Sequence, residues 1–199
     1  LIQPILTCQS PSTQPKVGLV VLSTDLTCER DFSMMSQAHG FAFDQYVNRI
    51  RFVNPMTQKS LTAMLDDLTA VTADILPSCS LDVVVFCCTS ASALIGDQAI
   101  QDAILQSKPR AQIITPASAS VASLLDKGYK KVSLLTPYNE SISQGLANYF
   151  IDNGVDVISL PYMNIKDDRD VARLSTEAIT AAAKAAVDPS AEALFISCT

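Results

Sequence analysis

The sequence has a single histidine, no tryptophan and only six glycines among its 199 residues. A Cys–His or Ser–His–Asp catalytic arrangement would have to use His39, which lies at what reads as a helix end, so we do not expect one. No C-x-x-C pair and no zinc-type ligand spacing occurs, which predicts that no metal is bound. The absence of G-x-G-x-x-G and Walker A segments argues against a nucleotide-binding protein.

Long hydrophobic runs and basic clusters are also missing. The longest apolar runs span about five to seven residues, as in Val83–Cys88, whereas a membrane helix needs about 20, so a soluble protein is expected. The net charge is −6 and Lys130-Lys131 is the densest basic site, which disfavours nucleic-acid and membrane partners. Residues 1–15 lack the pattern of a signal peptide and are interpreted as a loose arm, which predicts a cytoplasmic location.

What is present is the composition of a folded α/β protein, with 48% hydrophobic and 17% charged residues. Short apolar runs alternate with segments of helical periodicity, which predicts parallel sheets covered by helices on both faces. The predicted strands are Val17–Leu22, Arg49–Val53, Val83–Cys87, Gln112–Thr115, Val132–Thr136, Val155–Leu160 and Ala193–Cys198. Helices are predicted over 58–76, 139–152 and 168–187. Thr115-Pro116 and Thr136-Pro137 are typical of helix starts, with threonine as cap and proline in the first position.

The second part of the chain repeats the pattern of the first. Lys16–Val20 is similar to Lys131–Leu135, and the run that ends at Cys88-Thr89 is similar to the run that ends at Cys198-Thr199. Each part therefore has a cysteine at the carboxyl end of its third predicted strand. This repetition predicts two similar α/β lobes related by a pseudo-two-fold axis.

The predicted lobes are residues 16–116 and 117–199, with a cleft between them. Across such a cleft, Cys88 and Cys198 face one ligand from opposite sides. Two thiols can move a proton across a carbon centre, or one can attack while the other protonates, without a metal or cofactor. The alternative for each cysteine is a small buried hydrophobic residue. Cys87 points to the opposite face of its strand and is predicted to lie in the core.

Four short stretches carry a family resemblance. They are Gly18–Asp25 with Glu29 following, Cys88-Thr89-Ser90, Thr136-Pro137-Tyr138 and Ile196–Thr199. In this order they resemble the Asp/Glu racemase superfamily, and most of all its branch of maleate cis–trans isomerases and arylmalonate decarboxylases. The resemblance implies a cofactor-independent enzyme with its site between two α/β lobes. It also implies that the family continues beyond Thr199 through another helix and strand, so the second lobe is expected to lack its C-terminal part.

The resemblance assigns roles to the two cysteines. In the isomerases the first cysteine adds to the double bond of maleate, and the second acts as acid or base while the bond rotates in the adduct. In the racemases the two cysteines shuttle one α-proton, and the decarboxylases keep only the second cysteine. Carried over, Cys88 is the nucleophile and Cys198 the acid or base, which implies an isomerase of a small mono- or dicarboxylic acid. An amino-acid racemase and a non-catalytic carboxylate-binding protein are the alternatives.

The resemblance also implies a set of substrate-binding residues beside the strand ends. They are Thr89, Ser90, Tyr138, Asn164 and Thr199. Tyr138 would bind the distal carboxylate, and its alternative is a half-buried aromatic of a loop. A helix start directly after Cys88 is expected to lower the pKa of its thiol. A homodimer is left open, because relatives are often dimers but the sequence shows no interface.

Asp25 departs from the isomerases, which usually have asparagine near this point. A carboxylate there would repel a dianionic substrate unless it is protonated or paired. The racemases carry aspartate in this region, where it can meet an ammonium group, so an amino-bearing or half-neutral substrate is also consistent with the sequence. The alternative is a helix N-cap, since Asp25 stands directly before a predicted helix.

Overall fold

The computed structural model describes residues 12–198, so most of the predicted N-terminal arm and Thr199 lie outside it. Strands and helices alternate along the chain. They are β1 (Lys16–Leu22), α1 (Cys28–His39), β2 (Asp44–Ile50), α2 (Gln58–Thr62), α3 (Leu65–Ala73), β3 (Val83–Phe86), α4 (Thr89–Ile95), α5 (Asp97–Leu105), β4 (Gln112–Ile114), α6 (Pro116–Asp126), β5 (Lys131–Leu135), α7 (Glu140–Asp152), β6 (Asp156–Ser159), α8 (Asp168–Val171), α9 (Thr176–Ala186) and β7 (Ala193–Ile196). No helix within residues 12–198 has the length and hydrophobicity that a membrane span requires.

The strands form two parallel sheets. The first has the order β2-β1-β3-β4 and the second the order β6-β5-β7. The middle strands of the two sheets correspond, because β1 and β5 each lie between the strand that follows them in the chain and the next one. The predicted α/β fold with two similar parallel sheets is therefore confirmed, while the exact lobe boundary at 116/117 stays a prediction.

The core lies on both faces of the first sheet and extends to the second. Val20 and Phe86, both fully buried, belong to a large cluster that also contains Leu134 and Phe150 of the second half. On the opposite face of the first sheet, Cys87 packs in a smaller cluster with Leu19, Cys28 and other apolar side chains. This confirms that Cys87 is a core residue. It also shows that adjacent cysteines point to opposite faces, as strand geometry requires.

The second strand differs from the prediction. It runs over Asp44–Ile50 instead of Arg49–Val53. β2 is the edge strand of its sheet, and its side chains are mostly polar or half-buried, so it lacks the apolar run that identifies buried strands. The apolar Phe52 that suggested the later range is buried just beyond the strand.

The two Thr-Pro pairs behave differently. Thr115 caps α6 as predicted, since its hydroxyl oxygen accepts the N–H of Ser118 at 3.1 Å. The prediction for Thr136-Pro137 was wrong, because α7 begins at Glu140 and is capped by Asn139. The buried Thr136 hydroxyl instead shares a hydrogen bond of 2.6 Å with Ser143. The chain therefore has three more residues between β5 and α7, which places Tyr138 in the connection.

Phe150 packs α7 against the second sheet. It is fully buried, and its ring centroid lies 5.2 Å from that of Phe195 in β7. We expect Phe150→Ala to lower the free energy of unfolding by about 3–5 kcal/mol, because the lost contacts leave a cavity. Ile151→Ala, on the same helix but half exposed, is the matched control and should cost less than about 1 kcal/mol. Equal losses in urea denaturation would contradict this account of the packing.

Candidate active site

A cavity of about 340 Å³ lies at the carboxyl ends of strands from both sheets. Ligands of parallel α/β proteins bind at this edge, where loops and helix starts supply polar groups. Of the residues predicted from sequence, the cavity lining contains Cys88, Cys198, Asp25, Thr89, Ser90 and Tyr138. The structure thus brings together side chains that are up to 173 positions apart in the chain, counted from Asp25 to Cys198.

Cys88 is the N-cap residue of α4, with an extended backbone directly after β3. The residue is 7% exposed, and its Sγ lies 3.7 Å from the hydroxyl oxygen of Ser90. Burial raises the pKa of the Cys88 thiol to about 11, although hydrogen bonds from the Ala91 N–H and from Ser90 lower it. The expectation of a lowered pKa was therefore wrong. The helix start acts in the predicted direction, but the loss of water around the sulfur outweighs it.

Cys198 comes two residues after β7, with a backbone φ of 96° that lies in the left-handed region. The residue as a whole is exposed, but its thiol faces the cavity, where desolvation raises its pKa to about 12. The charges of Cys88, Asp25 and Asp168 act in the same direction, and a hydrogen bond with Tyr138 opposes them. The charge of a Cys88 thiolate thus disfavours ionisation of Cys198, and burial keeps both thiols protonated near neutral pH.

Tyr138 connects the ends of β3 and β7. It is 1% exposed, and its hydroxyl lies 3.0 Å from the hydroxyl oxygen of Ser197. The same hydroxyl interacts with Ser90, and burial raises its pKa well above the usual range, so the phenol keeps its proton. The residue does lie in a loop, between β5 and α7, but it is fully buried and not half-buried. Its substrate-binding role stays a prediction.

Of the remaining predicted binding residues, two line the cavity and one lies outside it. Thr89 and Ser90 are the first two residues of α4 and are buried at the cavity. Asn164 is exposed and lines a separate shallow depression instead of the cavity. Its left-handed backbone (φ 57°) and the hydrogen bond from its N–H to the Tyr138 carbonyl hold it there. Thr199 lies outside the described residues.

Asp25 binds the start of α1. Its Oδ1 accepts the backbone N–H groups of Thr27 at 3.0 Å and Cys28 at 2.9 Å. The predicted N-cap position was wrong, because Thr27 is the N-cap residue of α1, but the Asp25 carboxylate does satisfy N–H groups at the helix start. Asp25 also lines the cavity, so its carboxylate is in place to act on a ligand as well.

Asp168, the first residue of α8, lines the cavity but was not identified from the sequence. Its Oδ1 accepts a hydrogen bond of 2.7 Å from the Asn54 amide, and its Oδ2 accepts one from the Thr24 hydroxyl. Thr24 and Asn54 follow β1 and β2, so this carboxylate joins the second half of the chain to the first. The sequence predicted one helix over 168–187, whereas the structure divides it into α8 and α9. In the sequence, an Asp-Asp pair at a helix start indicates only helix capping, so it did not identify Asp168 as a residue of the cavity.

The raised thiol pKa values predict a strong pH dependence of thiol reactivity. Alkylation of Cys88 by iodoacetamide should be slow near pH 7 and rise about tenfold per pH unit towards pH 11, because only the thiolate reacts. Asp168→Asn removes a negative charge that opposes ionisation, so the profile should move to lower pH. Peptide mass spectrometry can follow Cys88, with the exposed Cys79 as reference in the same sample. A profile that Asp168→Asn leaves unmoved would contradict this electrostatic account.

Comparison with known proteins identifies the family. The family model for arylmalonate decarboxylase matches residues 45–199. The chain belongs to this family. It is an enzyme of the isomerase or related decarboxylase type. Maleate isomerase of Alcaligenes faecalis is 26% identical over 176 residues, which cover 81% of this chain and 68% of that protein.

Solved structures show the same fold. A cysteine-to-alanine variant of the maleate isomerase of Pseudomonas putida S16, solved with maleate, superposes with a TM-score of 0.81 at 20% identity and covers 92% of this chain and 78% of that chain. A cysteine-to-serine variant of Nocardia farcinica maleate cis–trans isomerase carries a covalently bound succinylcysteine intermediate. It has a TM-score of 0.80 at 23% identity and covers 91% of this chain and 76% of that chain. Together with the family model and the 26% identical maleate isomerase, the shared fold confirms the predicted branch of the superfamily.

Proposed function

We propose that this enzyme isomerises a small cis-unsaturated carboxylic acid through a covalent adduct on Cys88. The observation that carries the proposal is the pair of thiols, Cys88 and Cys198, that reach one cavity from equivalent strand ends of the two sheets. The family and the trapped succinylcysteine of a structural relative support the same chemistry. This cavity also contains buried hydroxyl groups that can bind a carboxylate.

The roles of the two thiols are distinguished by their surroundings. Cys88 lies within hydrogen-bonding reach of the Ser90 and Ala91 N–H groups, which stabilise a thiolate. At Cys198 the negative charges of Cys88, Asp25 and Asp168 all disfavour a thiolate, and burial raises the pKa further. These differences support Cys88 as nucleophile and Cys198 as acid. The left-handed backbone at Cys198 supports a functional role too, because such strain is concentrated at functional sites.

The reaction can then be written with atoms and electrons in balance. The Cys88 thiolate adds to one alkene carbon and forms a C–S bond, while the Cys198 thiol gives its proton to the other carbon. The saturated thioether has a C–C single bond that rotates. The Cys198 thiolate then removes a proton from the carbon it protonated, the C–S bond breaks with its electron pair returning to sulfur, and the trans acid leaves. Nothing is oxidised or reduced over the cycle.

The buried hydroxyls provide a neutral binding site for one carboxylate. Tyr138 keeps its proton and can donate it in a hydrogen bond, and Ser90 and Thr89 lie beside it at the start of α4. Hydrogen bonds to a charged acceptor are the stronger kind, particularly where water is excluded. We propose that these groups hold the carboxylate conjugated to the reacting double bond.

The second candidate is racemisation of an amino acid by proton transfer between the same two thiols. The presence of Asp25 in the cavity favours it, because a carboxylate can bind an ammonium group. This reaction forms no adduct. It instead exchanges the α-proton of the substrate with D₂O.

Intact-protein mass spectrometry tests the proposal. The samples are the wild-type enzyme, Cys88→Ala and Cys79→Ala. Each is incubated with maleate, which has two carboxylates, and with its monoamide, which has one. We expect a mass gain of one substrate in the wild type and in the variant of the exposed Cys79, and none in Cys88→Ala. An adduct that persists in Cys88→Ala, or no adduct and no isomerisation with either acid, would overturn the proposal.

A further inference from the structure

We infer that the second functional group of the substrate is an N–H donor, an amide or an ammonium group, and not a second carboxylate. The inference rests on the proposed function, because it concerns the same cavity and the same two thiols. It is carried by the carboxylates of Asp25 and Asp168, which line that cavity from opposite halves of the chain.

The charges around the cavity do not balance. Its charged lining residues within the described chain are Asp25, Arg30, Asp31 and Asp168. The Arg30 guanidinium lies 2.8 Å from the Asp31 carboxylate, so these two neutralise each other at the exposed side. The lining therefore has two further carboxylates and no further cationic residue. Arg169, just outside the lining, also attracts Asp168, but its guanidinium is paired with Asp167. A dianion placed here would meet like charges, which costs several kcal/mol when they lie close together.

The two carboxylates are held in fixed positions. Asp25 is fixed by the two backbone N–H groups that its Oδ1 accepts. Asp168 is fixed by Asn54 and Thr24, one donor to each oxygen. A carboxylate oxygen with spare lone pairs accepts hydrogen bonds and donates none, so it selects an N–H group of the ligand.

The carboxylates act at the reacting centre itself. The negative charge of Asp168 disfavours a thiolate at both Cys88 and Cys198, and that of Asp25 does so at Cys198. The remaining polar lining groups are neutral hydroxyls, such as those of Ser90 and Tyr138. One end of the ligand is thus an anion bound by hydroxyls, and the other is a donor bound by Asp25 and Asp168.

Three probes of similar size test the inference: maleate, maleic monoamide and (Z)-4-aminobut-2-enoate. Isomerisation is followed by NMR, and binding by protection of Cys88 from iodoacetamide. We expect kcat/KM for the preferred N–H-bearing probe to exceed that for maleate by about 100-fold. Asp168→Asn should narrow this ratio about tenfold, because it removes one of the two negative charges. The asparagine side chain should keep its position, since it can still accept a hydrogen bond from Asn54 and donate one to Thr24. Asp170→Asn, an exposed position on the same helix, should leave the ratio unchanged.

The outcomes separate this inference from the proposed function. The inference is overturned if maleate is isomerised as fast as the N–H-bearing probes and Asp168→Asn does not change the ratio of their kcat/KM values. The proposed function then stays intact. Better protection of Cys88 by an N–H-bearing probe without isomerisation of any probe supports the inference and overturns the proposed function. Neither protection nor isomerisation overturns both. A preference for the monoamide identifies a neutral donor, and a preference for the amine identifies a cation.

Discussion

Replacement of Cys88 by alanine is expected to lower kcat/KM for the isomerised acid by at least about 1000-fold, since covalent catalysis needs the nucleophile itself. The substitution removes one small side chain and leaves the α4 backbone unchanged, so the variant should fold. The loss of kcat/KM should therefore far exceed any effect of a partly unfolded protein, although removal of a buried side chain lowers the midpoint of thermal unfolding somewhat. Steady-state kinetics by NMR, together with circular dichroism, measures the two separately.

Cys28→Ala is the matched control for this experiment. Cys28 is also a buried thiol, but it packs in the smaller core cluster behind the first sheet and does not line the cavity. Its replacement should leave kcat/KM within about threefold of the wild type, although the loss of a buried side chain reduces stability. If Cys88→Ala kept more than a tenth of the wild-type activity, another group would have to be the nucleophile.

The parts of the fold that could be predicted from the sequence are those with local signals. β1 and β5 lie at the centre of their sheets, so their apolar runs identify them almost to the residue. The two cysteines were found because the same strand pattern occurs twice. β2 was misplaced because an edge strand with half-exposed side chains has no such run.

Features that depend on distant contacts were not predictable in this way. Asp168 reaches the cavity through hydrogen bonds to Thr24 and Asn54, which are 144 and 114 positions away in the chain. The predicted direction of the Cys88 pKa shift was wrong for a related reason. The helix start that lowers it is local, whereas the desolvation that raises it comes from side chains packed around the sulfur by the whole fold.

The acidic residues of the cavity also influence the reactivity of the two thiols. Burial keeps both thiols protonated before a ligand binds, and the negative charge of Asp168 adds to this effect, which protects the sulfurs from oxidation and alkylation. A ligand that brings an N–H donor to Asp168 offsets its charge and so favours ionisation of Cys88. Substrate binding would then itself activate the nucleophile, which ties the charge of the substrate to the reactivity of the site.

Replacement of Cys198 by serine is expected to arrest the reaction at the covalent adduct. A hydroxyl ionises far less readily than a thiol, so serine is a poor base for the C–H proton that must leave before the C–S bond breaks. Protonation during addition is less demanding, because water at the exposed side of Cys198 can supply that proton. Turnover should therefore fall by at least about 1000-fold.

The arrested adduct should be visible in the same samples. Most of the Cys198→Ser protein should carry the mass of one substrate, and peptide mapping should place that mass on Cys88. Serine has nearly the shape of cysteine, so the left-handed backbone at this position is retained and the comparison isolates the acid–base group. The double variant Cys88→Ala/Cys198→Ser serves as control and should carry no adduct. Rapid turnover by Cys198→Ser would show that another base serves the adduct, and Tyr138, whose hydroxyl hydrogen-bonds with the Cys198 thiol, would be the residue to test.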